Sequence, residues 1–328
     1  MTLTQSCSMT FIGIHMTVKE FTKDFFDREN CPINKKRKLR GTTWSLNTLL
    51  TFRCQLHNFI LPEFGDRELS SLTIEELDNY GIRIKHTKNL SHHTINKIMQ
   101  TFNIILKEAE NFGFVKINVL RGYEKFRGKS RKKGFLTEKE TLELFRRKDI
   151  WHDDKHRVLH LILCYTGMRT GEAFALGYRS IIEEEDRVGL YIDKSFHYYS
   201  GLGQTKTGYN RIVPIPKWLL REIKENLCWI ADFWFTHQHG TFLKPATCRK
   251  YFYASLEKIG ISPAERKERN IGFHSWRHRF ISMMNGEIPD EKLRSLVGHR
   301  TAEMTENYTQ QILSRANKFI QSDYFRQE

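Results

Sequence analysis

Between Arg121 and Lys133 the chain reads RGYEKFRGKSRKK: seven basic residues, two glycines, a single acid and little apolar content, with a third glycine following at Gly134. A stretch this charged cannot be buried in a core, so it divides the 328 residues into two parts, each with its own apolar pattern. The length fits two domains of roughly 100–200 residues apiece. The expected organisation is a helical domain over 16–120, a basic linker over 121–133 and a second domain over 134–328.

In the first part the dominant period is helical. From Ile95, the residues Ile98, Met99, Phe102, Ile105, Leu106, Ala109 and Phe112 recur on one face over about five turns. Leu49 to Ile60 forms a second helix that Pro62 should end. Thr73 with Glu76 is a capping box opening a third, and Val18, Phe21, Phe25 and Phe26 begin a first. After the linker, Thr137 caps a helix to about Arg147, and Val158–Tyr165 is a buried helix ending at Thr166-Gly167. VGLYID (188–193), FHYY (196–199) and YNRIVPIP (209–216) read as strands, Glu183–Asp186 as a solvated turn, and everything beyond Pro216 as helix. The expected fold class is mainly α in two domains. The second is mixed α/β, mostly helical, with a small antiparallel sheet.

Charge narrows the partner. Lys and Arg number 53 against 38 Asp and Glu, a formal net charge of +15, which calls for a polyanion. The excess is concentrated early, since residues 1–133 carry 23 basic and 13 acidic side chains. Lys35, Lys36, Arg37, Lys38 and Arg40 form one cluster. Arg127, Lys129, Arg131, Lys132 and Lys133 form another, placed to follow a phosphate backbone. No run approaches the about 18 apolar residues of a membrane span, and the first residues lack the basic start of a secretory signal. The six scattered cysteines read as reduced thiols of a cytoplasmic, nucleoid-associated protein. Cys228, His237, His239 and Cys248 fit zinc spacing poorly, so no metal is expected.

Four segments place polar groups where a core would not want them. TGMRTGE sets Arg169 at a helix start with Glu172 three residues on. GQTKTG presents Lys206 at a glycine-flanked hairpin tip. HSWRH sets His274 and Arg277 on one helix face. VGH carries His299, and Tyr308 follows nine residues later in TENYT. Each alone is a common surface feature, but their joint occurrence in this order is not.

Together these segments resemble the tyrosine recombinase (phage integrase) family, from about Gly134 to about Tyr324 and more loosely over the helical part in front. Trp276 departs from the pattern, standing where an aliphatic residue is more usual. The resemblance implies a SAM-like core-binding domain that clamps DNA with the catalytic domain. It implies Arg169, Lys206, His274, Arg277, His299 and Tyr308 as catalytic residues, with Glu172 orienting one of them. The chemistry agrees. Two guanidinium groups can fork onto the non-bridging oxygens of a phosphorane, and a tyrosine near pKa 10 needs their charge and a base such as His274 to become a nucleophile. Lys206 can protonate the leaving 5′ oxygen, and His299 can hydrogen-bond the phosphate. No P-loop is present, nor an acidic trio suited to two-metal strand transfer, so no cofactor is expected.

The implied partners are duplex DNA with a specific recombination site and, on two such sites, a homo-tetramer that is a monomer or dimer off DNA. No membrane is involved. The segment after Tyr308, with Ile312, Ala316, Phe319 and Ile320 at helical spacing, can pack on its own domain or on a neighbour. With no room before Val18 for an arm-type domain, the chain reads as a two-domain integrase of a mobile element or prophage. Type IB topoisomerase chemistry is the alternative enzyme, and a DNA-binding protein with idle catalytic residues is the alternative outside catalysis.

Overall fold

The computed structural model describes residues 15–128, 133–184, 187–227 and 232–298. Lys129, Arg131, Lys132, Cys228, His299, Tyr308 and the segment beyond it lie outside the described residues. The chain forms two compact units, residues 1–130 and 131–328.

The first unit is helical: α1 (Val18–Phe21), α2 (Pro32–Leu39), α3 (Leu46–Gln55), α4 (Leu61–Phe64), α5 (Ile74–Thr87) and α6 (His92–Asn111). Helix α6 is its axis. Ile95, Ile98, Met99, Phe102, Ile105, Leu106 and Ala109 are all buried, each large side chain contributing roughly 1.5–3 kcal/mol. Phe112, read as the end of this stripe, is instead 61% exposed, because the helix stops at Asn111 and its C-cap turns the ring outward. Nor does Pro62 end the second helix. Leu56–Ile60 form a π-helical turn, and Pro62 sits in the first turn of α4, where its missing N–H costs nothing. The Thr73–Glu76 capping box is formed.

The basic stretch begins inside this unit, not as a free linker. The Asn96 side chain donates to Phe126 O and accepts from Phe126 N, both at 2.9 Å, so it pairs with the backbone as a strand neighbour would. Tyr123 and Phe126 pack against the same core. Helix α2 presents Lys35, Lys36 and Lys38 with Arg40 at its exposed end, while Arg37 lies over the Trp44 ring at 5.0 Å. Arg127 is exposed and ion-paired to Glu124 at 3.3 Å.

The second unit opens with α7 (Glu138–Arg146), capped by the expected Thr137–Glu140 box, followed by α8 (Asp154–Thr166) and α9 (Thr170–Phe174). Five strands follow: β1 (Ile181–Glu184), β2 (Arg187–Ile192), β3 (Lys194–His197), β4 (Gly201–Gln204) and β5 (Arg211–Pro214). They form two antiparallel sheets, β1-β2-β5 and β3-β4. Glu183 and Glu184, read as a turn, close β1, and Glu183 accepts from Lys224 at 2.7 Å. Five helices complete the described part: α10 (Lys217–Asn226), α11 (Pro245–Lys258), α12 (Pro263–Glu268), α13 (Phe273–Met284) and α14 (Asp290–Leu296). The residues before α11 are not helical, and Thr236 bridges Phe242 there. Cys248 is buried while His237 and His239 are exposed. No helix among the described residues is long and apolar enough to cross a membrane.

Helix α8 runs through the core and is buried over nearly its whole length. At its centre the fully buried His160 stacks between Phe252 and Phe273, at centroid distances of 4.2 and 4.9 Å. Trp276 donates its indole N–H to His160 Nδ1 at 2.8 Å, which places the ring proton on Nε2. Burial, and secondarily the charge of His156, hold the imidazole well below its ordinary value. An unfolded histidine takes a proton near pH 6.5, whereas the folded one refuses it. Stability is therefore full above about pH 6.5 and falls by up to about 1.4 kcal/mol per pH unit below it. Urea midpoints should drop from pH 6.5 to pH 5, and His160→Gln, which keeps an acceptor for Trp276 but no titrating proton, should flatten that slope. Equal slopes in both proteins would contradict the account.

Candidate active site

The site is built where α8 ends. Gly167 caps that helix at φ +59°, in the left-handed region, and a Cβ there would lie 2.5 Å from the Phe280 ring. The turn brings Arg169 to the start of α9. Its backbone N–H donates to Glu172 Oε2 and its Nη1 to Glu172 Oε1, both at 2.9 Å. This is the spacing seen in TGMRTGE, with the carboxylate closing a capping box on the arginine itself.

Glu172 is completely buried. Burial alone would push its carboxyl up, but the charge and hydrogen bonds of Arg211, and then those of Arg169, outweigh it and hold the group below the usual range. Arg211, at the start of β5, places Nη2 2.6 Å from Glu172 Oε2 and Nη1 3.3 Å from Oε1. A buried carboxylate thus carries two guanidinium groups, and removing it would strand two partly buried cations.

Helix α13 supplies the other wall. His274 and Arg277 lie one turn apart, and the intervening Trp276 points inward to His160. The aromatic residue at position 276 is therefore accommodated by a polar partner on α8. Arg277 is 8% exposed; its Nη1 donates to Gly167 O at 2.9 Å, and its Nη2 is buried with no partner among the described residues. Burial, and then the charge of Arg169, lower this guanidinium to about 10. His274 is an exposed residue of α13, yet partial burial, followed by the charges of Lys133, His278, Arg277 and Arg169, holds it below its ordinary value. Its imidazole is neutral at pH 7 and able to accept a proton.

The structure brings Arg169, Glu172, His274 and Arg277 to one place, with Lys133 close enough for its charge to be felt. Three guanidinium groups and one carboxylate leave the cluster net positive, and Arg277 Nη2 has no partner among the described residues. Lys206 is not part of this cluster. It is exposed and has no ion pair among the described residues. Its turn is closed by Gly208 N–H donating to Thr205 O at 3.0 Å, and it is not a simple hairpin tip. Strand β4 pairs with β3 and β5 with β2, so the turn links two sheets. His299 and Tyr308 lie outside the described residues.

Arg211 was not singled out from the sequence, although its signal is there. It shares the inward face of β5 with Val213, and a charge at a core-facing register position demands a buried partner.

Residues 134–314 match the model of the phage integrase family. Among solved structures, the chain is similar to residues 75–356 of lambda integrase in a dimer bound to a COC′ core site. That match has 19% identity, covers 89% of this chain and 98% of that one, and has a TM-score of 0.67. A lambda integrase tetramer bound to a Holliday junction is similar at 17% identity, covering 89% of this chain and 80% of that one, with a TM-score of 0.67. Residues 82–397 of the Tn1549 transposon integrase, in complex with transposon right-end DNA, match at 18% identity, 92% and 99% coverage and a TM-score of 0.66. These likenesses concern the fold. No match was found among curated proteins.

Proposed function

Because the chain belongs to the phage integrase family, we propose that it is a site-specific tyrosine recombinase that cuts and rejoins DNA through a 3′-phosphotyrosyl intermediate and a Holliday junction. The observation that carries this reading is the buried Nη2 of Arg277, without a partner among the described residues, beside the Arg169–Glu172–Arg211 cluster. A donor desolvated in advance costs no reorganisation when a phosphorane forms against it.

In this mechanism Arg277 and the remaining N–H groups of Arg169 take the non-bridging oxygens of the scissile phosphate. His274 accepts the Tyr308 proton, Tyr308 attacks phosphorus, and Lys206 delivers a proton to the departing 5′ oxygen. His299 hydrogen-bonds the phosphate. The phosphotyrosyl bond conserves the energy of the broken diester, so a 5′-hydroxyl reseals the strand without ATP. Lys206 stands apart from the guanidinium cluster on its turn, and the mechanism has it swing in when DNA is bound.

Duplex DNA with a specific site is the proposed substrate. The net charge of +15 and the exposed ridge of Lys35, Lys36, Lys38 and Arg40 support it, as do the DNA complexes of the lambda and Tn1549 integrases. By the same analogy both units clamp one duplex, with Arg127, Lys129, Arg131, Lys132 and Lys133 along the phosphates. Four protomers act on two sites, as in the lambda tetramer on a Holliday junction. A mobile element or prophage, acting at the bacterial nucleoid, is the proposed context.

The test is covalent trapping. The protein is mixed with nicked fragments of the DNA flanking its own gene, in excess EDTA, and denatured in SDS. An SDS-resistant adduct on a few fragments is the expected outcome. Adducts on all fragments alike would replace site-specific recombination with topoisomerase-like relaxation. A strict divalent-cation requirement would overturn the metal-free mechanism. No adduct on fragments shown to be bound would leave a DNA-binding protein without cleavage.

A further inference from the structure

The carbonyl groups at the end of α14 are held in an unusual way. The last carbonyls of a helix have no partner within it and need donors from elsewhere. Here the donors are the two arginines that share Glu172. Arg211 Nε donates to Leu296 O at 2.8 Å, and Arg169 Nη2 donates to Gly298 O at 2.8 Å. The same guanidinium groups are fixed at their other edges by both Glu172 oxygens. A single buried carboxylate therefore ties together the start of α9, the start of β5 and the end of α14.

Gly298 completes the arrangement. Its φ is +70°, and a Cβ on it would meet Arg211 Nη1 at 2.8 Å, Arg211 Cζ at 2.9 Å and Arg169 Nη1 at 3.1 Å. Those atoms could ordinarily swing aside, but their hydrogen bonds to Glu172 hold them. Glycine is thus required both by backbone conformation and by the closeness of the two guanidinium groups. His299 is the next residue in the chain, and Tyr308 follows nine residues after it.

From this we infer that Arg211 is a positioning residue for cleavage: with Glu172 and Gly298 it latches the end of α14 and so sets the point from which the chain carrying His299 and Tyr308 departs. Arg211 itself is assigned no phosphate contact in this scheme, because each of its three nitrogens already donates to Glu172 or Leu296 and its side chain is only 8% exposed. The inference rests on the recombinase reading for its effect on cleavage, but the latch itself does not.

The experiment uses the full-length protein and two variants, Arg211→Lys and Gly298→Ala. Lysine keeps the charge, but a single ammonium cannot span both carboxylate oxygens and the Leu296 carbonyl. Three quantities are compared with wild type: affinity for an intact site, the single-turnover rate of adduct formation on the nicked site, and backbone amide exchange in peptides covering residues 290–298. Affinity should stay within about twofold, the cleavage rate should fall by about 10- to 100-fold as expected for a displaced reacting group, and exchange should rise at 290–298 but not in α8. Unchanged exchange in both variants would overturn the latch. Affinity falling in step with the rate would make Arg211 a DNA contact instead. Increased exchange with wild-type cleavage would remove its role in positioning. If wild type forms no adduct, the recombinase reading fails, while the exchange arm still decides whether the latch exists.

Discussion

Tyr308→Phe is expected to abolish the SDS-resistant adduct, a loss of at least about 10³-fold that puts it below detection, while site binding and thermal stability stay at wild-type levels. The substitution removes one oxygen. In a mechanism that splits a diester exchange into two covalent steps, that oxygen is the nucleophile, and phenylalanine has nothing to replace it. The demand on the site is considerable, since at pH 7 only roughly one phenol in a thousand is ionised at an unperturbed pKa near 10. The surroundings are suited to meeting it. Burial and the cations around it lower His274 below its ordinary value, and in the proposed mechanism the Arg169–Arg277 pair is the source of positive charge for the phenolate and the phosphorane. Gel analysis of adducts beside a binding assay makes the check. An adduct that survives in Tyr308→Phe would mean that another side chain attacks.

Arg277→Ala is expected to lower single-turnover cleavage by about 10²–10³-fold, the usual cost of removing one preorganised donor from developing negative charge. Its effect on stability should be small. Among the described residues Arg277 is a buried cation with one hydrogen bond, to Gly167 O, and one nitrogen without a partner, and its guanidinium is lowered to about 10. Holding it charged costs the fold on the order of 3 kcal/mol. Its removal relieves that cost at the expense of one unpaired carbonyl and the packing of its buried stem, so the urea midpoint of Arg277→Ala should stay close to that of wild type. Arg277→Lys should recover little cleavage, because an ammonium cannot fork onto two oxygens. A variant that loses cleavage because its urea midpoint collapses would make Arg277 a structural residue and not an anion donor.

Local signals were legible wherever one residue type has one physical use. The apolar stripe of α6, the Thr73–Glu76 and Thr137–Glu140 boxes and the Arg169–Glu172 spacing all depend on neighbours three or four residues apart, and all are formed. The misreadings arose where distant chain decides. Pro62 continues a helical path because a π-turn before it absorbs the change in hydrogen bonding. Lys206 sits between two sheets because β4 and β5 pair with different partners, a choice not encoded in the turn between them. Phe126 belongs to the first unit because Asn96, thirty residues earlier, pairs with its backbone.

What the sequence offered by itself was a set of candidate reacting groups in a definite order, Arg169, Lys206, His274, Arg277, His299 and Tyr308, in a strongly basic chain. It could do so because each chemical role admits few side chains, and a side chain's identity is fully written in the sequence. What only the tertiary structure decided was the company those groups keep. Glu172 is shared by two arginines, Arg211 reaches the last carbonyl of α14, Trp276 finds His160, and one nitrogen of Arg277 has no partner among the described residues. Apart from Arg169–Glu172, these contacts join residues 39 to 116 positions apart. Nothing local favours them, and they exist because packing α8, α9, α13, α14 and β5 around one core leaves the buried charges no other way to be satisfied.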